Sequence, residues 1–206
     1  MISARTNNGT APIMTDYFTF LGLPRSLAID EGELQRRYFE LSREHHPDFH
    51  ARSDEATRQS SLVNSSTLNQ AYRTLRDRFA RARYLIDLEL PDLDGSEKKK
   101  IPPTLLMEVM EMQEKVFESQ SESDPQRKAG IHTELEAIES GMKQKLEGLS
   151  GDLDHLATEW DASQTGSLER TEILKRLNLL LNTRNYLRTL ISTVDAEIRG
   201  GEPIRH

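Results

Sequence analysis

The chain contains no cysteine; disulfide frameworks and thiolate metal sites are therefore excluded, and a reducing compartment is allowed. Aromatic residues make up 6% of the 206 positions, with a single tryptophan, which leaves the cores to aliphatic side chains. No apolar run approaches the roughly 20 residues that span a bilayer, and residues 1–14 lack the apolar stretch of a secretion signal. That leader, nearly uncharged and containing Thr, Asn and Gly, reads as a disordered tail, with Met14 as an alternative start and no transit to an organelle. Basic residues are outnumbered, 27 Lys and Arg against 34 Asp and Glu, giving a formal charge of −7. Such a balance argues against general nucleic-acid binding, which needs cations for the phosphates. The 30% of charged residues fits small helical bundles with solvated outer faces.

Apolar residues recur at helical spacing almost throughout. Leu34, Tyr38 and Leu41 make one stripe, which Pro47 must end because it has no amide hydrogen and crowds the preceding turn. Ser53 or Asp54 is placed to cap the next helix. Leu68, Tyr72, Leu75, Phe79, Ala82 and Ile86 then form a stripe ending near Leu88. Residues 91–103, Pro91 to Pro103, combine turn formers and charge without helical rhythm and read as a linker.

Three further helices are expected beyond it. Leu105, Val109, Met112 and Val116 mark the first; Ile131, Leu135, Ile138, Met142, Leu146 and Leu149 the second; Ile173, Leu177, Leu180, Leu187, Ile191, Val194 and Ile198 the third. Ser123-Asp124-Pro125 opens the second and Ser167 the third, while Gly148, Gly151 and Gly166 are read as punctuating the connection between them, with Trp160 packed there. With no strand signal in between, an antiparallel three-helix bundle is the simplest packing. The fold class expected is all-α, an N-terminal helical hairpin followed by that bundle.

The most informative triplet is His46-Pro47-Asp48, where one helix stops and another is about to start. Its plain reading is punctuation: a histidine at a helix C-terminus, a proline stop and an aspartate in a turn. Its surroundings say more. Tyr17-Phe18 with Leu21-Gly22-Leu23-Pro24, the helix from Leu34 to His45, Asn69-Gln70-Ala71-Tyr72 and Leu75-Arg76-Asp77 follow in the order and spacing of a J-domain, which residues 16–88 resemble. The resemblance implies docking on a heat-shock chaperone and stimulation of its ATPase.

In the bundle, the helix from Thr104 to Glu118 has more apolar surface than a core stripe requires. Leu106, Met110 and Phe117 lie roughly 100° to 140° around the axis from that stripe, followed by Met107, Glu111, Glu114 and Glu118. For Leu106 and Phe117 two readings stand: packing against a second neighbouring helix, or exposure. Met107 and Met110 bordered by carboxylates read as a binding surface, since methionine adapts to a partner and an acidic rim selects a basic one. Leu179, Tyr186 and Leu190 form a second, sparser stripe on the last helix, and Leu179 is read as sharing the partner site.

A J-domain of residues 15–90, the 91–103 linker and a bundle of residues 104–200 together resemble the HscB family of iron–sulfur cluster co-chaperones. The sharpest local matches are Asp16-Tyr17-Phe18, His46-Pro47-Asp48, Asn69 to Arg76, Arg81-Ala82-Arg83-Tyr84-Leu85-Ile86 and Leu106-Met107-Glu108. The resemblance implies two partners and no cofactor: an HscA/DnaK-type heat-shock chaperone engaged by Arg37, Arg43, His46, Pro47 and Asp48, and an IscU-type iron–sulfur scaffold protein held by Leu106, Met107, Met110, Glu111, Glu114 and Leu179. Catalysis would stay in the chaperone, and no nucleic acid, membrane or bound metal is implied.

The chain also departs from the pattern. Glu40 and Glu44 interrupt Arg36, Arg37 and Arg43, which weakens attraction to an acidic groove and favours a dedicated chaperone. Arg78 stands where a proline often follows Asp77. The absence of a cysteine-rich extension, frequent in eukaryotic members, favours a bacterial cytoplasmic protein. A metal site built on His45, His46, Asp48 and His50 is the weaker alternative, because Pro47 breaks the helix that would align His46 with His50. A J-domain protein whose bundle holds another client, or dimerises, is the stronger one.

Overall fold

The computed structural model describes residues 16–45, 54–93 and 99–200, so the expectations for the 1–14 tail and for His46-Pro47-Asp48 and His50 lie outside the described residues. Every regular element among the described residues is a helix, in agreement with the all-α expectation: α1 Tyr17–Phe20, α2 Glu31–Glu44, α3 Glu55–Arg76, α4 Arg78–Glu89, α5 Pro103–Ser121, α6 Pro125–Ala162 and α7 Leu168–Arg199. They divide into two compact units. The first holds residues up to Arg25 and Ile29–Arg81, the second Ser26–Ala28 and everything from Ala82.

In the first unit α2 and α3 form an antiparallel hairpin, as their pairings require: Tyr38 reaches Asn69 and stacks on Tyr72, whereas the later His45 pairs with the earlier Ser61. Leu34 of α2, Leu68, Ala71 and Leu75 of α3, and Phe18 and Leu21 from the α1 end are all buried. Asp16 caps α1, accepting from the Phe18 amide and from Arg25 Nε. After α1, Gly22 takes φ +65°, and the Leu23 amide returns to the Phe18 carbonyl. That closure needs the left-handed backbone only glycine adopts without strain. Asp54, one of the two caps expected, starts α3 by accepting from the Thr57 amide at 2.8 Å. The apolar stripe does not run unbroken into α4. Asp77 turns extended, closes α3 and accepts from the Ala80 amide to start a new helix, so the helix breaks although Arg78 replaces a proline.

In the second unit α5, α6 and α7 form the expected bundle around Leu105, Val109, Met112, Ile131, Leu135, Met142, Leu187, Leu190 and Val194. Asp124 and Ser167 cap α6 and α7 through the amides of Gln126 and Arg170. Two sequence expectations are corrected here. Gly148 and Gly151 do not punctuate a connection: α6 runs through both for 38 residues, about 57 Å at 1.5 Å per residue. Helix-breaking cost loses to packing, because Leu149, Leu153, Leu156 and Trp160 carry the apolar stripe across them. Only Gly166, at φ +77°, sits in the turn. Leu190 is core, and Tyr186 packs against it, since α7 contacts both other helices and buries a wider stripe than one neighbour would need.

α5, with 19 residues, covers only part of the longer α6–α7 pair. Beyond it, Leu153, Leu156, Ala157 and Trp160 of α6 and Ile173, Leu174, Leu177 and Leu181 of α7 are buried. Arg83 of α4 donates to Asn178 and Asn182 there; burial lowers its affinity for the proton. Asp161 accepts from Ser26 Oγ and from the amides of Leu27 and Ala28, all within 3.0 Å. Arg170 lies over the Trp160 ring, 3.7 Å from its centroid.

Candidate functional site

In the first unit the described residues stop at His45 and resume at Asp54, on either side of the segment that contains His46, Pro47 and Asp48. His45 ends α2, its carbonyl accepting from the buried Ser61 hydroxyl at 2.8 Å and its ring stacking on Phe20. Asp54 caps α3 on the other side of that segment, while His45 is held by α3 through Ser61 and by the α1 end through Phe20. Arg36 is committed to its own helix, bonded to Glu33 and Glu40. Arg37 donates to the same Glu33 and lies against the Gly22 turn. Hydrogen bonding from Arg36, aided by Arg37 and opposed by burial, holds the Glu33 carboxyl below the usual range. Arg43 is the exposed cation of the last turn.

The second unit presents a ridge on α5. Its core stripe faces inward; Leu106, Met107, Met110 and Phe117 project at 47%, 73%, 70% and 71% exposure. The second-neighbour packing considered for Leu106 and Phe117 does not occur. Glu111, Glu114 and Glu118 are exposed beside them. Glu108 belongs to the other flank and is bonded to Lys145 of α6. Lys115 also turns to α6, meeting Glu134 at 2.7 Å and Glu118 at 3.0 Å, and the two carboxylates, Glu134 first, push its pKa up. Leu179 is half-buried. It lines a cavity of about 370 Å³ with Leu149, Leu156, Arg176, Leu180 and Pro102, the residue just before α5.

One polar cluster went unread in the sequence. Ser119, fully buried at the end of α5, donates to Glu197 Oε1 at 2.7 Å and meets His132 Nε2 at 3.0 Å. A serine, histidine and carboxylate together invite comparison with a nucleophile triad, but the order is wrong. The carboxylate only accepts, so the single hydroxyl proton goes to Glu197 and His132 must present N–H to the oxygen. The histidine has no lone pair facing the serine with which to activate it. The trio is a clasp across three helices.

Comparison with known proteins bears on both units. Residues 16–84 match the family model of the DnaJ domain, which makes this a J-domain protein. Residues 101–185 match the model described as the HSCB C-terminal oligomerisation domain. The chain belongs to the HscB family of J-domain co-chaperones. Among solved structures, the crystal structure of human co-chaperone protein HscB aligns at a TM-score of 0.60 with 21% identity, covering 96% of this chain and 93% of that one. Chaperone HscB from Vibrio cholerae aligns at 0.51 with 23% identity, covering 89% and 99%. At these identities the two structures support the fold.

Proposed function

We propose that this chain is a co-chaperone of iron–sulfur cluster assembly. Its J-domain, residues 15–90, stimulates the ATPase of an HscA/DnaK-type chaperone, and its bundle, residues 104–200 beyond the 91–103 linker, delivers an IscU-type scaffold protein. The chain is no enzyme itself; hydrolysis takes place in the chaperone. Arg43, Arg37 and the His46-Pro47-Asp48 loop make the chaperone contact. Asp48 accepts from a partner arginine or lysine, His46 donates, and the fixed φ of Pro47 presents both. Leu106, Met107, Met110, Glu111, Glu114 and Leu179 hold the scaffold.

The observation that carries this reading is the exposure of Met107 and Met110 on a bundle whose core is already complete without them, in a chain that also bears a J-domain. Adaptable apolar side chains left in water beside carboxylates support a protein partner with a basic rim. The test is the ATPase rate of the chaperone alone, with this protein, and with this protein and scaffold. Stimulation that grows when scaffold is added, and that disappears in Asp48→Asn while scaffold binding persists, is the expected result. Full stimulation by Asp48→Asn would remove the docking role. The description of the matched C-terminal model as an oligomerisation domain favours a second reading, a bundle that dimerises; sedimentation of the full chain across a concentration series separates the two.

A further inference from the structure

Resting on that reading of the bundle, we propose that the scaffold contact does not stop at Met110 and Glu114 but runs the length of α5 to Phe117 as two parallel rows. The partner surface that fits is an apolar groove on the scaffold with cations along one lip only.

The rows follow from spacing and exposure. Leu106, Met110, Gln113 and Phe117 are at i, i+4, i+7 and i+11, and all four are exposed. Met107, Glu111, Glu114 and Glu118 repeat the same interval one residue, or 100°, further round, and all four are exposed as well. Each row spans twelve residues of helix, about 16 Å from end to end. The first is apolar at its two ends and at Met110. The second is acidic after its first residue, and neither Glu111 nor Glu114 meets a cation among the described residues. Phe117 sits next to Val116, which packs on the core, yet its own ring is 71% exposed. An aromatic ring in that position has the area and rigidity of an interface anchor, two turns beyond the methionines.

Charge selects the occupant. On the exposed rows α5 carries three glutamates and no lysine or arginine; Lys115, off the rows, is shared between Glu118 and Glu134 of α6, which leaves Glu111 and Glu114 as the unmatched charges. A second copy using this face would bring two acidic rows into one isologous interface in which Lys115 already serves Glu118 and no other cation of either helix is there to meet Glu111 and Glu114. A scaffold surface with an apolar trough and a basic lip satisfies both rows at once.

The experiment is titration calorimetry of the full-length protein against a purified IscU-type scaffold, at low and at raised salt, with Phe117→Gln, Phe117→Leu, Met107→Gln and Glu111→Gln/Glu114→Gln. Phe117 is exposed, so its variants should keep the circular dichroism and melting temperature of the parent. Expected are a weakening of roughly tenfold or more in Phe117→Gln, the size found for truncated aromatic anchors, near-parental binding in Phe117→Leu, and a smaller salt dependence in the double glutamine variant. If Phe117→Gln binds like the parent while Met107→Gln does not, the extension to Phe117 is overturned and the scaffold reading survives. If the parent chain does not bind scaffold at all, both fall. Should the parent sediment as a dimer that Phe117→Gln dissociates, the occupant is a second copy and the proposal fails.

Discussion

Removing one oxygen atom from the bundle should reveal how its three helices are tied at the end remote from the α6–α7 turn. In Ser119→Ala the hydroxyl that joins α5 to His132 of α6 and Glu197 of α7 is lost. Hydrogen bonds to an ionised acceptor contribute about 1.5–3 kcal/mol when desolvated. Ser119 has no exposed surface, but His132 and Glu197 are only half-buried, so water replaces part of what each loses. Gln120 also keeps its hold on Glu197 Oε2 at 3.0 Å. The net cost expected at neutral pH is therefore about 1–2 kcal/mol, read as a lower midpoint in urea at unchanged slope.

The cost should depend on pH with a definite sign. Burial pushes the Glu197 carboxyl up, but hydrogen bonds from Ser119 and Gln120, together with the charges of Lys128 and His132, outweigh it and hold the group below the usual carboxylate range. A carboxyl depressed in the folded state stabilises above its unfolded pKa, about 4.3, and that stabilisation is lost as pH falls through the folded value. Without Ser119 the depression shrinks. The gap between parent and variant is thus widest near neutral pH and narrows below about pH 4. Paired urea titrations at several pH values measure it directly. A gap that stays constant down to low pH would mean that Ser119 contributes packing alone, and no gap at neutral pH would refute the clasp.

Gly148→Ala and Gly151→Ala should each raise stability by about 0.5–1 kcal/mol, because both glycines are inside α6 and a Cβ at either meets nothing within 4 Å. Thermal melts of the single variants check this, and destabilisation would contradict the uninterrupted helix. Asp54→Ala should lower the melting temperature at neutral pH by removing the acceptor of the Thr57 amide and hydroxyl. Those two bonds, the backbone one first, hold the Asp54 carboxyl low, so the difference should vanish in acid, where the parent cap is protonated too. A difference that persists there would point to helix propensity and not to capping.

What was legible in the sequence was local. Asp54, Asp124 with Pro125, and Ser167 were readable as helix starts because a cap is a short polar side chain a few positions from the amide it serves. Core stripes were readable because helical spacing puts their members on one face. Gly148 and Gly151 misled for the same reason: as single residues they disfavour a helix, while the evidence against a break was the stripe Leu149, Leu153, Leu156 and Trp160 running through them. Contacts between distant segments left no trace. Nothing in the neighbourhood of Ser119 points to Glu197, 78 residues away, or around Ser26 to Asp161, 135 residues away.

The α5 ridge falls between these cases, and Val116 with Phe117 shows why. Helical periodicity fixes the angle between two side chains, about 100° for neighbours, but not how much of the circumference the rest of the bundle covers. That depends on where α6 and α7 lie. The same apolar surplus on α7 went the other way: Leu190, placed off the stripe by its angle, is core, because α7 is flanked by two helices. On α5 the packed arc ends between Val116 and Phe117, and the residues past that edge are the ones whose apolar surface the fold leaves in water. Met107 and Met110 were legible as surface because glutamates border them. Phe117 has Glu114 and Glu118 beside it as well, but an aromatic ring serves a core as readily as a surface, so its exposure had to come from the packing.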